Sequence, residues 1–291
     1  MGRSALWRDG WPFSKWPNVP YQLNRNSPQA RGLVAWWPTT GIGLGTDPDL
    51  KDRSGHGYDM TAVNTPMVVT DGQMGRAVLY NAGASEYLKI TSAVVTAEPF
   101  TLCCWAYVTT AGRIAYMSIA DKDVANRYHS LSWDSTPEGG GPAAVVARSY
   151  DGTVFDAPTS TSRTLNVWEH VCGVWAAAND RRAYINGGHK GTDANASGAS
   201  AGIDCAQISG LADSTPGGYV SGRIADARIY NRALTDQEVL DLYLNPWELY
   251  EPVIRWWAGY TGGGTPVVPD WPGGYRRVAV GVGAGVLTVD R

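Results

Sequence analysis

The chain has 291 residues, enough to bury a sizeable core as one large domain with appendages or as two small ones. Charged residues make up 18% and hydrophobic ones 44%, and no apolar run approaches the roughly 20 residues a bilayer span requires, so a membrane-spanning helix is excluded. The net charge of -3 hides an uneven layout: +4 over residues 1–31 and +2 over 252–291, leaving -9 on the body between them. A nucleic-acid binder would carry a dense basic stripe on its folded part, so basic ends on an acidic body point instead to docking on an acidic protein surface.

Residues 1–31 hold Trp7, Trp11, Phe13 and Trp16 among Pro12, Pro17, Pro20 and Pro28, with a period of neither 2 nor 3.6, and read as an extended arm. Charge and tryptophan interrupt the first 16 residues, so no apolar core of a secretory leader is visible there. From residue 32 short apolar or alternating runs recur between turn residues, the pattern of an all-β sandwich. Strands are expected over 32–37, 74–80, 86–90, 99–108, 113–120, 127–133, 142–148, 167–175, 181–186 and 222–230. Asn186-Gly187 closes a hairpin over 181–191, because a type I′ turn needs positive φ at both central residues. One helix is expected over 236–244: Thr235 and Glu238 form a capping box, Leu234 and Val239 the staple around it, and Val239, Leu240, Tyr243 and Leu244 an apolar stripe. Asn245-Pro246 ends it. The chain thus divides into an arm (1–31), a sandwich (32–251) and a Gly/Trp-rich arm (252–291) with Trp256, Trp257, Trp271 and the makings of a β-hairpin. Large aromatics in segments too irregular to bury them by themselves call for a partner surface.

Local motifs offer little chemistry. Cys103, Cys104, Cys172 and Cys205 include no C-x-x-C spacing, and the adjacent pair points to opposite faces of a strand, so all four read as buried thiols. Gly198-Ala-Ser200-Ala-Gly202 matches the nucleophile-elbow pattern but lies in a small-residue loop, not between a strand and a helix. The same loop holds Asn195-Ala-Ser197, which matches a glycosylation acceptor by chance. Gly41-Ile-Gly-Leu-Gly45 and Gly281-Val-Gly-Ala-Gly285 lack dinucleotide-fingerprint spacing and read as turns. The four histidines are remote from one another in sequence and read as packed or hydrogen-bonded side chains and not as ligands.

The succession Gly32-Leu-Val-Ala-Trp-Trp-Pro38, Asp52-Arg-Ser-Gly-His-Gly57, Gly75-Arg-Ala-Val-Leu79, Glu86-Tyr-Leu-Lys-Ile90, Pro99-Phe-Thr-Leu-Cys-Cys-Trp105, Trp168-Glu-His-Val171, Tyr184-Ile-Asn-Gly187 and Gly222-Arg-Ile-Ala-Asp-Ala-Arg-Ile-Tyr-Asn-Arg-Ala-Leu234 resembles the LamG-like jelly roll of the concanavalin A-like lectin/glucanase superfamily. The resemblance implies a two-sheet antiparallel jelly-roll sandwich closed by one short helix. The glucanase branch would need two glutamates around an aspartate on one strand; Glu86, Glu98, Glu138 and Glu169 are isolated, so no catalytic residue and no enzyme is expected. Lectin-like sandwiches often hold calcium at the sheet rim, which nominates Asp121, Asp123 and Asn126, although Lys122 and the absence of a following glycine count against a metal. Asp52 is expected to accept hydrogen bonds from its own turn. Sugar binding would need an exposed aromatic platform, for which Tyr128, His129, Trp133 and Tyr150 are available.

Two functions follow. In the first, favoured by the arms, the chain is a bacteriophage virion structural or decoration protein, homo-oligomeric or multi-copy. Its body is displayed outward, and Trp7, Trp11, Phe13, Trp16, Trp256, Trp257 and Trp271 dock on capsid or tail subunits. In the second it is a glycan-binding module of a secreted or surface-displayed bacterial protein, with surface glycans as partners.

Overall fold

A computed structural model describes residues 21–40, 44–46, 50–137 and 142–252. The strands are β1 (Tyr21–Leu23), β2 (Leu33–Trp37), β3 (Gly45–Thr46), β4 (Thr61–Val63), β5 (Met67–Asp71), β6 (Gly75–Tyr80), β7 (Tyr87–Ile90), β8 (Phe100–Val108) and β9 (Ile114–Ala120). They continue with β10 (Arg127–Asp134), β11 (Ala144–Asp151), β12 (Val154–Pro158), β13 (Trp168–Ala177), β14 (Asp180–Ile185), β15 (Gly188–Asp193), β16 (Cys205–Ile208) and β17 (Gly222–Tyr230). Helix α1 (Asp236–Leu244) and β18 (Tyr250–Pro252) follow.

Two antiparallel sheets face each other. One has nine strands in the order β15-β14-β13-β8-β17-β6-β5-β3, with β2 added on β17; the other has seven, β12-β11-β10-β9-β16-β7-β4. Period-two alternation decides which side chains enter the space between them. On β8, Phe100, Leu102, Cys104, Ala106 and Val108 point inward and Thr101, Cys103, Trp105 and Tyr107 outward. All four thiols are buried; Cys104 lies between the sheets, whereas Cys103 lies outside under α1, opposite its register partner Cys172. Burial raises the pKa of Cys104 and Cys172 well above the usual thiol range and pushes Cys205 up to about 12.

The Asn186-Gly187 turn joins β14 to β15 with φ of 51° and 72°. A Cβ at Gly187 would lie 3.0 Å from the Leu240 Cα, so this glycine also lets α1 approach. The capping box of α1 forms as its sequence requires, and Leu234 and Val239 meet in the cluster beneath it. The helix buries Val239 and Leu242 instead of the full expected stripe; Leu244 is exposed, because the chain turns away at Asn245.

The outer face of the nine-stranded sheet is covered by α1, by the β1/β18 ribbon and by the β5–β6 turn. Arg228, 2% exposed, pairs there with Asp226 and donates to Gln29 Oε1 and the Pro246 carbonyl, while Trp36 and Tyr250 donate to Asp226. Residues 21–31 and 245–250 are thereby fastened to the sandwich. Asp52 accepts from Trp36, Ser54 and Tyr58 main-chain N–H groups, organising its own turn.

Candidate functional site

At one end of this outer face three side chains stand in a cross-strand row: Trp168 of β13 opposite Tyr107 of β8, and Tyr107 opposite Arg223 of β17. Outward alternation brings them together, since Val108, Ala106 and Ile224 beside them are core residues. The Arg223 guanidinium lies 5.0 Å from the Tyr107 ring centroid, and the Tyr107 and Trp168 rings are 5.8 Å apart. The β5–β6 turn folds over the row. Its Met74 is wholly buried against Trp105 and Trp168, and its Asp71 bridges the two ends of the row. Asp71 Oδ1 accepts from the main-chain N–H groups of Gln73 (2.8 Å) and Met74 (2.7 Å) and from Trp168 Nε1 (3.1 Å). Asp71 Oδ2 accepts from Arg223 Nη1 at 2.7 Å.

Between this turn and the segment Asn166–Val167 lies an open pocket of about 480 Å³. Asn166 adopts φ of 61° and its main-chain N–H bonds the Val108 carbonyl, which sets the rim. Asp71 is spent on holding the frame. What remains for a ligand is the Tyr107 ring, the 35%-exposed Arg223 side chain, the exposed Asn166 and the 40%-exposed Val167. The lining contains no serine, cysteine or histidine, and it sets an aromatic ring beside a few fixed polar groups.

The four aromatic candidates read from the sequence do not form one platform. Tyr128 and Tyr150 lie on the outer face of the seven-stranded sheet, ring centroids 5.5 Å apart, but Leu211 and Ala212 pack over them. Burial of Tyr128 pushes its phenol up to about 12. His129 and Trp133, odd-numbered neighbours on the same strand, point into the core; His129 packs on Phe100 and Trp175, and Trp133 lies over Arg163. The pocket residues were missed because they are far apart in sequence. Their usable signal was alternation, which puts Tyr107 and Trp168 on the non-core side of their strands.

His129 also meets Ser200, the central serine of the G-x-S-x-G match: Nε2 is 2.9 Å from Ser200 Oγ, and Nδ1 is 2.9 Å from Ser149 Oγ. Burial, reinforced by Arg181, lowers the His129 pKa to about 3, so the ring is neutral. Ser149 already accepts from Trp175 Nε1. The two contacts tie the Ser200 loop to the buried ring through its Nε2 and the ring to Ser149 through its Nδ1. Of the isolated glutamates, Glu86 accepts from Asn81, Glu98 lies 3.6 Å from His129, Glu169 faces Arg163, and Glu138 lies outside the described residues.

At the nominated cation site Asp121 and Asp123 are joined by Asp204, their oxygens within 4.8 Å of one another. Lys122 Nζ sits on Asp123 (2.7 Å) and Asp204 (2.6 Å), supplying the positive charge these carboxylates need. Asn126, at φ 59°, contributes its main-chain N–H to Asp213. The arm residues Trp7, Trp11, Phe13, Trp16, Trp256, Trp257 and Trp271 lie outside the described residues.

The two-sheet fold and a family-model match over residues 82–240 place this chain in the concanavalin A-like lectin/glucanases superfamily, to which it belongs. Among solved structures it is similar to domain 4 of AbnA, a GH43 extracellular arabinanase from Geobacillus stearothermophilus, in complex with arabinotriose: 21% identity, TM-score 0.56, covering 72% of this chain and 98% of that one. It is also similar to the binding domain of Paraclostridial Mosquitocidal Protein 1, with 17% identity and TM-score 0.52, covering 74% of this chain and 52% of that one. Trypanosoma rangeli sialidase matches at 17% identity and TM-score 0.50, over 74% of this chain and 33% of that one. At these identities the likeness is one of fold. A search of curated proteins found no match. No helix among the described residues is long and apolar enough to cross a membrane.

Proposed function

We propose that this chain is a non-catalytic glycan-binding module acting outside the cell, with its sugar site in the pocket over Tyr107. The observation that carries this reading is the Trp168–Tyr107–Arg223 row beneath an open pocket, held by Asp71. A pyranose presents an apolar C–H face and a rim of hydroxyls; an aromatic ring beside fixed polar groups matches both. The superfamily, and a fold shared with an arabinanase domain solved with a bound trisaccharide, support it. The alternative of a virion component anchored by its arms rests on residues outside the described ones, and none of the similar structures named above is a virion protein.

A glycan array probed with the full chain and with Tyr107→Ala tests the proposal. Retained folding with loss of the wild-type signals is expected. An unchanged array profile for the variant would remove the pocket from consideration.

A further inference from the structure

We infer that the pocket selects sugars carrying a carboxylate, such as uronic or nonulosonic acids; this rests on the glycan reading of the same pocket. The argument comes from hydrogen-bond polarity. Arg223 spends one donor, Nη1, on Asp71 Oδ2, and among the described residues its Nε and Nη2 have no acceptor. These two nitrogens share one edge of the guanidinium, the edge that receives a carboxylate through two parallel bonds. The ring of Tyr107 at 5.0 Å and the Asp71 bond fix the plane of that fork, so little freedom is lost when a ligand arrives.

No free carboxylate lines the same space to repel an anion. Asp71 is the one carboxylate of the lining; its side chain is 3% exposed and its oxygens already take four hydrogen bonds. A sugar hydroxyl both donates and accepts, and against Arg223 only its accepting half is used. A carboxylate accepts only, and uses the whole edge. The net charge of -3 gives no long-range attraction for an anion, so the preference is one of contact.

Calorimetry on the full chain separates the outcomes. The probes are a uronate oligosaccharide, the same oligosaccharide with its carboxyls reduced to primary alcohols, and a sialylated trisaccharide beside its asialo form. The expected result is about tenfold tighter binding of at least one acid over its neutral partner, the scale of a paired charge-assisted contact. Arg223→Gln should level that preference and Arg223→Lys restore only part of it, with Tyr107→Ala weakening acid and neutral forms alike. Which acid binds distinguishes the two sugar sources. Equal affinity for acid and reduced forms, with both lost in Tyr107→Ala, would overturn the acid preference while leaving the pocket a sugar site. Binding that ignores Tyr107→Ala would overturn both.

Discussion

The two outer faces of the sandwich each carry an arginine bridged to aspartate, and they use it in opposite ways. On the seven-stranded sheet Arg148 is 6% exposed; its Nε and Nη2 meet both oxygens of Asp156 at 2.7 Å, and Nη2 also meets Asp134. The segment after β16 closes over this sheet, with Ser118 donating to the Gly210 carbonyl and Ala115 to that of Gly218. On the nine-stranded sheet Arg223 gives one nitrogen to Asp71 and keeps an edge open to a pocket. One pair is a rivet and the other the proposed receptor; what separates them is the number of donors left over and the presence of a covering loop.

The largest expected effect lies at the rivet. Arg148→Ala leaves Asp156 and Asp134 buried without their shared cation and should cost about 3 to 5 kcal/mol in chemical denaturation. A loss under about 1 kcal/mol would mean the bridge is not structural. Acid should reach the same place. Burial opposes the charge of Asp134, yet the Thr136 N–H and Arg148 together hold its carboxyl below the usual range. Its stabilisation is therefore complete above the unfolded carboxylate pKa and lost as pH falls through the native one. An acid-unfolding curve displaced to higher pH in Arg148→Ala is expected.

At the receptor, Trp168→Phe keeps the ring and removes the Nε1 donor to Asp71. It should lower stability by about 1 kcal/mol and weaken sugar binding several-fold by loosening the β5–β6 turn; unaltered binding would show that Asp71 does not position Arg223. Thiol reagents should label none of Cys103, Cys104, Cys172 and Cys205 until the chain unfolds, because all four are buried out of reach of the reagent. The smallest effect concerns calcium. With Lys122 bonded to Asp123 and Asp204, chelation should leave both the unfolding midpoint and sugar affinity unchanged, and a drop of several degrees would reveal an ion at Asp121.

Much of the scaffold was legible. Each strand expected from residue 32 onward has a counterpart, the Asn186-Gly187 turn and the Thr235–Glu238 box form as read, and the thiols are buried. Strands such as Cys205–Ile208 and Val154–Pro158 were not, because four residues, or five ending in proline, carry too little alternation to show a period. The site was illegible for a different reason. Tyr128 and His129 are adjacent and therefore face opposite ways, and one strand's sequence does not say which way is covered. Tyr107, Trp168 and Arg223 become neighbours only through strand register, and Asp71 joins them only because its turn folds back over the sheet.

A crystal structure of the chain soaked with a bound acidic oligosaccharide addresses the receptor directly. The account predicts a sugar ring over Tyr107 with its carboxylate on the Nε–Nη2 edge of Arg223. A sugar seated instead on the seven-stranded face beside Tyr150, with the Tyr107 pocket empty, would contradict it.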